Sequence, residues 1–321
     1  MHVFIAGAGG AIGRSLIPLL TSNGHTVTGT TRSARKADAV RALGAEPVVL
    51  DGLDRAAVLA AVAVARPDAI VHQMTALTGA TDLRRFARTF EPTNRLRTEG
   101  TDHLLAAAQA SGVERVVAQS FAGWPYARVG GPVKTEEDPL DPQPPAQLVT
   151  TIQAIRHVEG AVTAAGGVAL RYGGLYGPGS GMVPGGEQWE LARARKLPLV
   201  GDGGGVWSFL HVQDAAAATL AALERWTPGE VYNVCDDEPA PAREWLPALV
   251  RATGGKPPRR IPRWAARLLA GEHLVAIMCD ARGASNAKAK RELAWTPRWP
   301  TWREGFAALA QAPDAAATQA P

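Results

Sequence analysis

Hydrophobic positions along this chain follow two alternating periods. Short apolar runs rich in β-branched residues are each followed by a stretch with the apolar spacing of a helix that buries one face. The first run, Val3-Phe4-Ile5-Ala6, breaks into glycines and then into helical spacing that ends near Asn23-Gly24. Later runs predict strands over 25–31, 46–51, 69–74 and 113–120, and amphipathic helices over 93–111 and 148–165. In the first of those helices Leu96, Gly100, Leu104 and Ala107 form one stripe. A helix between two strands carries the chain back to the end where the first strand began, so the strands run parallel and the pattern predicts an α/β fold with a doubly wound parallel sheet.

The break after the first strand carries the clearest chemistry. Gly7 lets the chain turn sharply, Gly10 lets backbone N–H groups approach a pyrophosphate, and Gly13 lets the helix pack closely on the sheet. The spacing is G-x-x-G-x-x-G, so Gly9, Ala11 and Ile12 complete a turn whose phosphates would sit at the positive end of the helix. This is a Rossmann-type dinucleotide site. The end of the second strand, where an acid would bind the ribose of NAD, reads Thr31, Arg32 and then Lys36, which favours the 2′-phosphate of NADP(H). Asp51 ends the third strand and could accept from the adenine amino group, or cap the next helix together with Asp54. Gln73 and Met74 end the fourth strand beside the expected cofactor ribose, while His72 reads as a packed strand residue.

Composition narrows the function. With 321 residues, 46% hydrophobic and 20% charged, the chain can bury a full core. Cys235 and Cys279 lie far apart with no histidine cluster, so no disulfide framework and no metal site is expected, and a cytoplasmic location fits. No apolar run is long enough to span a bilayer. The net charge of +4 is spread over short clusters such as Arg84-Arg85 with Arg88, without the continuous stripe that nucleic acid would need. Eight of the nine tryptophans lie beyond Gly185, which suggests a smaller, less regular substrate-binding lobe. The expected division is a Rossmann domain over 1–170, completed by a strand near 230–236, a lobe over 171–311 and a flexible tail over 312–321.

Several separate stretches resemble the extended short-chain dehydrogenase/reductase superfamily of the NAD-dependent epimerase/dehydratase type. They are the glycine turn, Gly100-Thr101-Asp102-His103-Leu104-Leu105, Leu170-Arg171-Tyr172-Gly173-Gly174-Leu175-Tyr176-Gly177-Pro178, and Phe209-Leu210-His211-Val212-Gln213-Asp214. With the NADP(H) preference read from Arg32 and Lys36, the expectation is an NADP(H)-dependent oxidoreductase; the resemblance implies a small-molecule substrate and a homodimer through the helices beginning near Thr93 and Leu148. It also exposes departures. The family's catalytic Y-x-x-x-K pair, aligned on Glu159, falls on Thr151 and Ile155, and the expected active-site hydroxyl position is Phe121, with Ser120 one residue early. Trp207 stands where relatives that bind nucleotide sugars carry an arginine, so an uncharged or apolar-faced substrate is expected. The candidate catalytic hydroxyls are therefore Ser120, Tyr126, Thr151 and Tyr172, with Tyr126 preferred as proton donor in hydride transfer to a carbonyl. A redox-neutral epimerase, dehydratase or lyase, and an NADP(H) sensor without turnover, are the alternatives.

Overall fold

In a computed structural model, residues 1–77 and 85–311 are described; Arg84 and the terminal stretch 312–321 lie outside them. The chain opens with β1 (His2–Ala6), α1 (Ala11–Ser22), β2 (Thr26–Thr31), α2 (Ala34–Ala42), β3 (Glu46–Val49), α3 (Arg55–Ala65) and β4 (Ala69–His72). The long helix begins earlier than its stripe indicated. It runs as α4 (Phe86–Arg95), passes through a π turn over Leu96–Gly100 and continues as α5 (Thr101–Ser111). Then come β5 (Arg115–Phe121), the short β6 (Val133–Lys134), α6 (Val149–Ala164) and β7 (Val168–Tyr172). The seven-stranded sheet has the order Val231–Val234, β7, β5, β4, β1, β2, β3, and every pair is parallel. Crossing from β1 to β4 reverses the winding, and ligands of open parallel sheets bind above that point, at the strands' carboxyl ends.

Each face of the sheet has its own core. On one, Ile12, Leu16, Ile17 and Leu20 of α1 pack with Ala215, Ala218 and Leu223 of helix Val212–Glu224 against Val3, Ile5, Val71 and Val117. That helix follows the lobe's first elements in sequence yet belongs to the sheet. On the other face Val58 and Val62 of α3 and Leu104, Ala107 and Ala108 of α5 cover Phe4, Ile70 and Val116. The apolar stripe of α6 (Ile152, Ile155, Val158, Val162) is buried within the chain, and its outward positions include Gln153 and Arg156.

The lobe is built from β8 (Gly174–Tyr176), which pairs with Phe209–His211, then α7 (Glu187–Arg193) and helices Ala242–Ala252 and Trp302–Gln311. Its core is aromatic: Trp189, Phe209, Trp245, Trp302 and Phe306 are all buried there. Asp214, at the start of helix Val212–Glu224, accepts the backbone N–H groups of Arg298 at 2.8 Å and Trp299 at 3.0 Å. It thereby ties the C-terminal segment to the sheet. A further cluster, containing Phe86, Tyr126, Leu148, Ile155, Cys235 and Ile277, joins sheet and lobe above the strand ends.

Candidate active site

The glycine turn has the geometry its spacing indicated. Gly7 has φ +95°, and a Cβ there would lie 2.7 Å from the carbonyl carbon of Gln73, so no other residue fits without displacing β4. Its N–H is held by Thr30 Oγ1 at 3.0 Å. At Gly13 a Cβ would come within 2.5 Å of the Ala8 oxygen, which is why the helix can sit directly on the turn. No side chain caps the start of α1 and no acid lies in its first turn. Its positive end is thus left for a ligand, and a dinucleotide pyrophosphate fits the residues present. The loop after β8 comes down on this turn, since a Cβ on Gly179 would approach Ala11 Cα to 3.3 Å.

The adenine side of the groove is open and charged. Gly9 lies beneath Thr31 and Lys36: a Cβ on it would be 3.7 Å from Thr31 Oγ1 and 3.9 Å from Lys36 Cδ. Arg32 and Lys36 are exposed. Asp51 is exposed as well, and its Oδ1 accepts from Leu53 N at 3.0 Å, while the cap of α3 is Asp54, accepting from Ala57 N at 3.1 Å. Asp51 therefore keeps the other oxygen free of the helix.

At the reaction side the expected hydroxyls fall into three separate places. Ser120 is fully buried and donates to Glu159 Oε1 at 2.6 Å. Arg171 grips the same carboxylate with two donors, at 2.7 and 2.8 Å, and gives a third to the Tyr126 hydroxyl at 3.0 Å. Tyr126 in turn donates to Asn233 Oδ1 at 2.5 Å. Burial pushes the Tyr126 phenol up to about 12, against the pull of Arg171. Its proton is engaged with Asn233 inside this network. Thr151 is also fully buried and takes the Asn94 amide N–H at 3.1 Å, with Ile155 beside it in the apolar cluster.

Tyr172 points to the opposite face of the sheet. Its hydroxyl accepts from Gln73 Nε2 at 3.1 Å and meets Thr219 Oγ1 at 2.6 Å; since Thr219 donates to Ala215 O, the tyrosine donates to Thr219. Burial pushes this phenol up to about 12 too. Gln73 is left with a buried oxygen that has no partner. Met74 turns its sulfur away into the core between Gly52 and Gly100, and its N–H donates to His72 Nδ1 at 3.2 Å. His72 then donates from Nε2 to Leu96 O, freed by the π turn, and to Thr101 Oγ1. Burial lowers its pKa to about 4, and it is neutral and structural.

Sequence reasoning found Trp207 but missed the rest of the aromatic wall and one cation. Phe86 stacks on Phe90 at 4.2 Å and meets the edge of Trp124 at 5.8 Å; Phe121 lies 5.7 Å from Trp124. Trp207 donates its indole N–H to Ile277 O at 3.0 Å and packs 4.7 Å from Trp245, so the arginine position is filled by a fixed apolar ring. These aromatics are scattered through the sequence, and only the fold gathers them. Arg97, on the π turn, is 4% exposed, and its Nε and one terminal nitrogen have no partner. A charge beside the apolar stripe of the 93–111 helix was its one available signal.

The family model described as NAD dependent epimerase/dehydratase family matches residues 3–235. The chain is 45% identical over 310 residues to a 3-diazoavenalumate denitrifying reductase of a Streptomyces species, covering 95% of this chain and 99% of that protein. It is 31% identical to a 2-alkyl-3-oxoalkanoate reductase of Stenotrophomonas maltophilia, over 79% of this chain and 76% of the relative. In fold it is similar to a UDP-glucose 4-epimerase of Thermotoga maritima, with TM-score 0.75 at 20% identity, covering 97% of this chain and 98% of that one. The chain belongs to the NAD dependent epimerase/dehydratase family, of the extended short-chain dehydrogenase/reductase type.

Proposed function

We propose that this NAD(P)-dependent oxidoreductase uses NADPH to replace a diazo group by hydrogen on an aromatic, non-sugar substrate. The observation that carries the reading is that the positions expected to hold a proton-donating tyrosine and its lysine are Thr151 and Ile155, both fully buried. Carbonyl reduction places developing negative charge on an oxygen, and a site for it needs a donor within reach of that oxygen. A diazonium group carries its own positive charge. A dihydronicotinamide held in this groove would supply a hydride, and the net change, R–N₂⁺ plus hydride giving R–H plus N₂, balances with no proton from the protein. The denitrifying reductase similar to this chain is named for a diazo compound, which supports the same chemistry.

The residues of the chain then have binding and shielding roles. Phe90, Phe121, Trp124 and Trp207, all half-buried above the strand ends, offer faces for an aromatic body and keep water from the reacting group. Arg32 and Lys36 give the 2′-phosphate of NADPH its counter-charge. Carbonyl reduction is the second reading, favoured by the 2-alkyl-3-oxoalkanoate reductase relative; it needs Tyr126 to leave Asn233 and reach the groove as donor.

The experiment incubates the protein with NADPH or NADH and an arene diazonium carboxylate, following cofactor oxidation and dinitrogen release in equal amounts. NADPH is expected to be the better reductant. Turnover of a 3-oxoalkanoate with none of the diazonium compound overturns the diazo reading.

A further inference from the structure

Arg97 makes no hydrogen bond or ion pair through its guanidinium among the described residues, although it is 4% exposed. An unpaired buried cation is costly, and folded proteins retain one where a ligand completes it. Glu159 is the carboxylate whose charge acts on it, but both Glu159 oxygens are already taken by Ser120 and Arg171. His72, at the end of β4, lies within reach of the same charge and is committed to Leu96 and Thr101. The π turn that carries Arg97 packs on α6 and is tied to the end of β4 through His72, so Arg97 sits between the two. That is the half of the groove beyond the β1–β4 crossing, opposite to the side of Arg32 and Lys36.

One helical turn earlier, Asn94 has spent its amide N–H on Thr151 and is left with a buried oxygen that has no partner. Both α4, which carries Asn94, and the π turn, which carries Arg97, pack on α6, so an unsatisfied acceptor and an unsatisfied donor face the same helix. A carboxylate or phosphate would satisfy Arg97 and be repelled by the Asn94 oxygen. A sugar diol suits both, because each hydroxyl accepts one hydrogen bond and donates another.

We propose that Arg97 and Asn94 bind the ribose diol on the nicotinamide side of the cofactor, Arg97 donating to its oxygens and Asn94 Oδ1 accepting from a hydroxyl. The proposal rests on the cofactor reading of the glycine turn, and not on which substrate is reduced. Arg97 is the residue that sets the reactive half of the cofactor in place.

The test is substrate-free. NADPH and ADP, which contains the adenine half alone, are titrated into wild type, Arg97→Met and Arg97→Lys, and the unliganded melting temperatures are compared. Arg97→Met is expected to weaken NADPH at least tenfold with ADP affinity unchanged, and to melt no lower than wild type, since an unpaired charge has been replaced by an apolar chain. Arg97→Lys, which keeps the charge and loses the fork, should fall between. Equal weakening of NADPH and ADP, or a lower melting temperature with NADPH affinity intact, would assign Arg97 to the fold and overturn the proposal. Loss of diazo turnover alone bears on the substrate and leaves these ratios untouched.

Discussion

The two halves of the groove differ in what they leave unsatisfied. On the adenine side the turn of Gly7 to Gly13 leaves the head of α1 without a side-chain cap, and Arg32, Lys36 and Asp51 stand exposed around it. On the reaction side Ser120, Tyr126, Thr151 and Tyr172 are buried and each has a partner, and Arg97 is a buried charge with no partner among the described residues. A hydroxyl identified from sequence position is a catalyst only if the fold leaves it free. Here all four have partners within the chain, which is the arrangement behind the proposed hydride transfer without a protein acid.

The sharpest way to break this contrast is to cut the network that spends them. Arg171 and Glu159 have side chains 7% and 9% exposed, so removing one partner strands the other charge. Arg171→Met is expected to destabilise the fold by about 3–5 kcal/mol in urea unfolding. Adding Glu159→Gln to it should recover part of that loss. A loss near zero for the single variant would mean the network is solvated and Tyr126 free to move.

Much of the adenine side was legible because its signals are local. Gly7, Gly10 and Gly13 announce their role through spacing after an apolar strand, and the sheet follows from alternating periods. The reaction side is assembled from β4, the π turn, β5, α6 and β7, so no single window of sequence contains it. Tyr126 looked like a donor because loop tyrosines near a strand end can be; that it donates to Asn233, 107 residues away, is a property of the fold. The π turn was unreadable for another reason. It inserts register into a helix whose apolar stripe looks continuous, and its effect is to free Leu96 O for His72 and turn Arg97 inward.

The contrast can be sharpened on its open side. Arg32→Ala removes a cation from the place of the 2′-phosphate, where a charge-assisted contact is worth about 1.5–3 kcal/mol, or roughly one to two decades of affinity. Titration of NADPH and NADH into both proteins should show NADPH weakened by that factor and NADH nearly unchanged. Tighter NADH binding by the wild type would remove the 2′-phosphate from the reading.

The smallest expected effect is the most informative about mechanism. Tyr126→Phe deletes one hydroxyl, leaving Asn233 Oδ1 and one Arg171 donor without their bonds at 2.5 and 3.0 Å while the grip of Arg171 on Glu159 stays intact. The loss of stability is expected to be about 1–2 kcal/mol. With the phenol held near 12, wild type carries it neutral from pH 6 to 9, so its ionisation contributes no slope to the rate in that range. If the proton of Tyr126 takes no part in turnover, kcat for the variant on a diazonium substrate stays within a factor of about three of wild type across those pH values. Were Tyr126 the acid, its loss would cost on the order of 10²–10⁴ in kcat. Steady-state rates of both proteins at several pH values separate these outcomes, because a merely structural tyrosine changes the unfolding midpoint and leaves the rate alone.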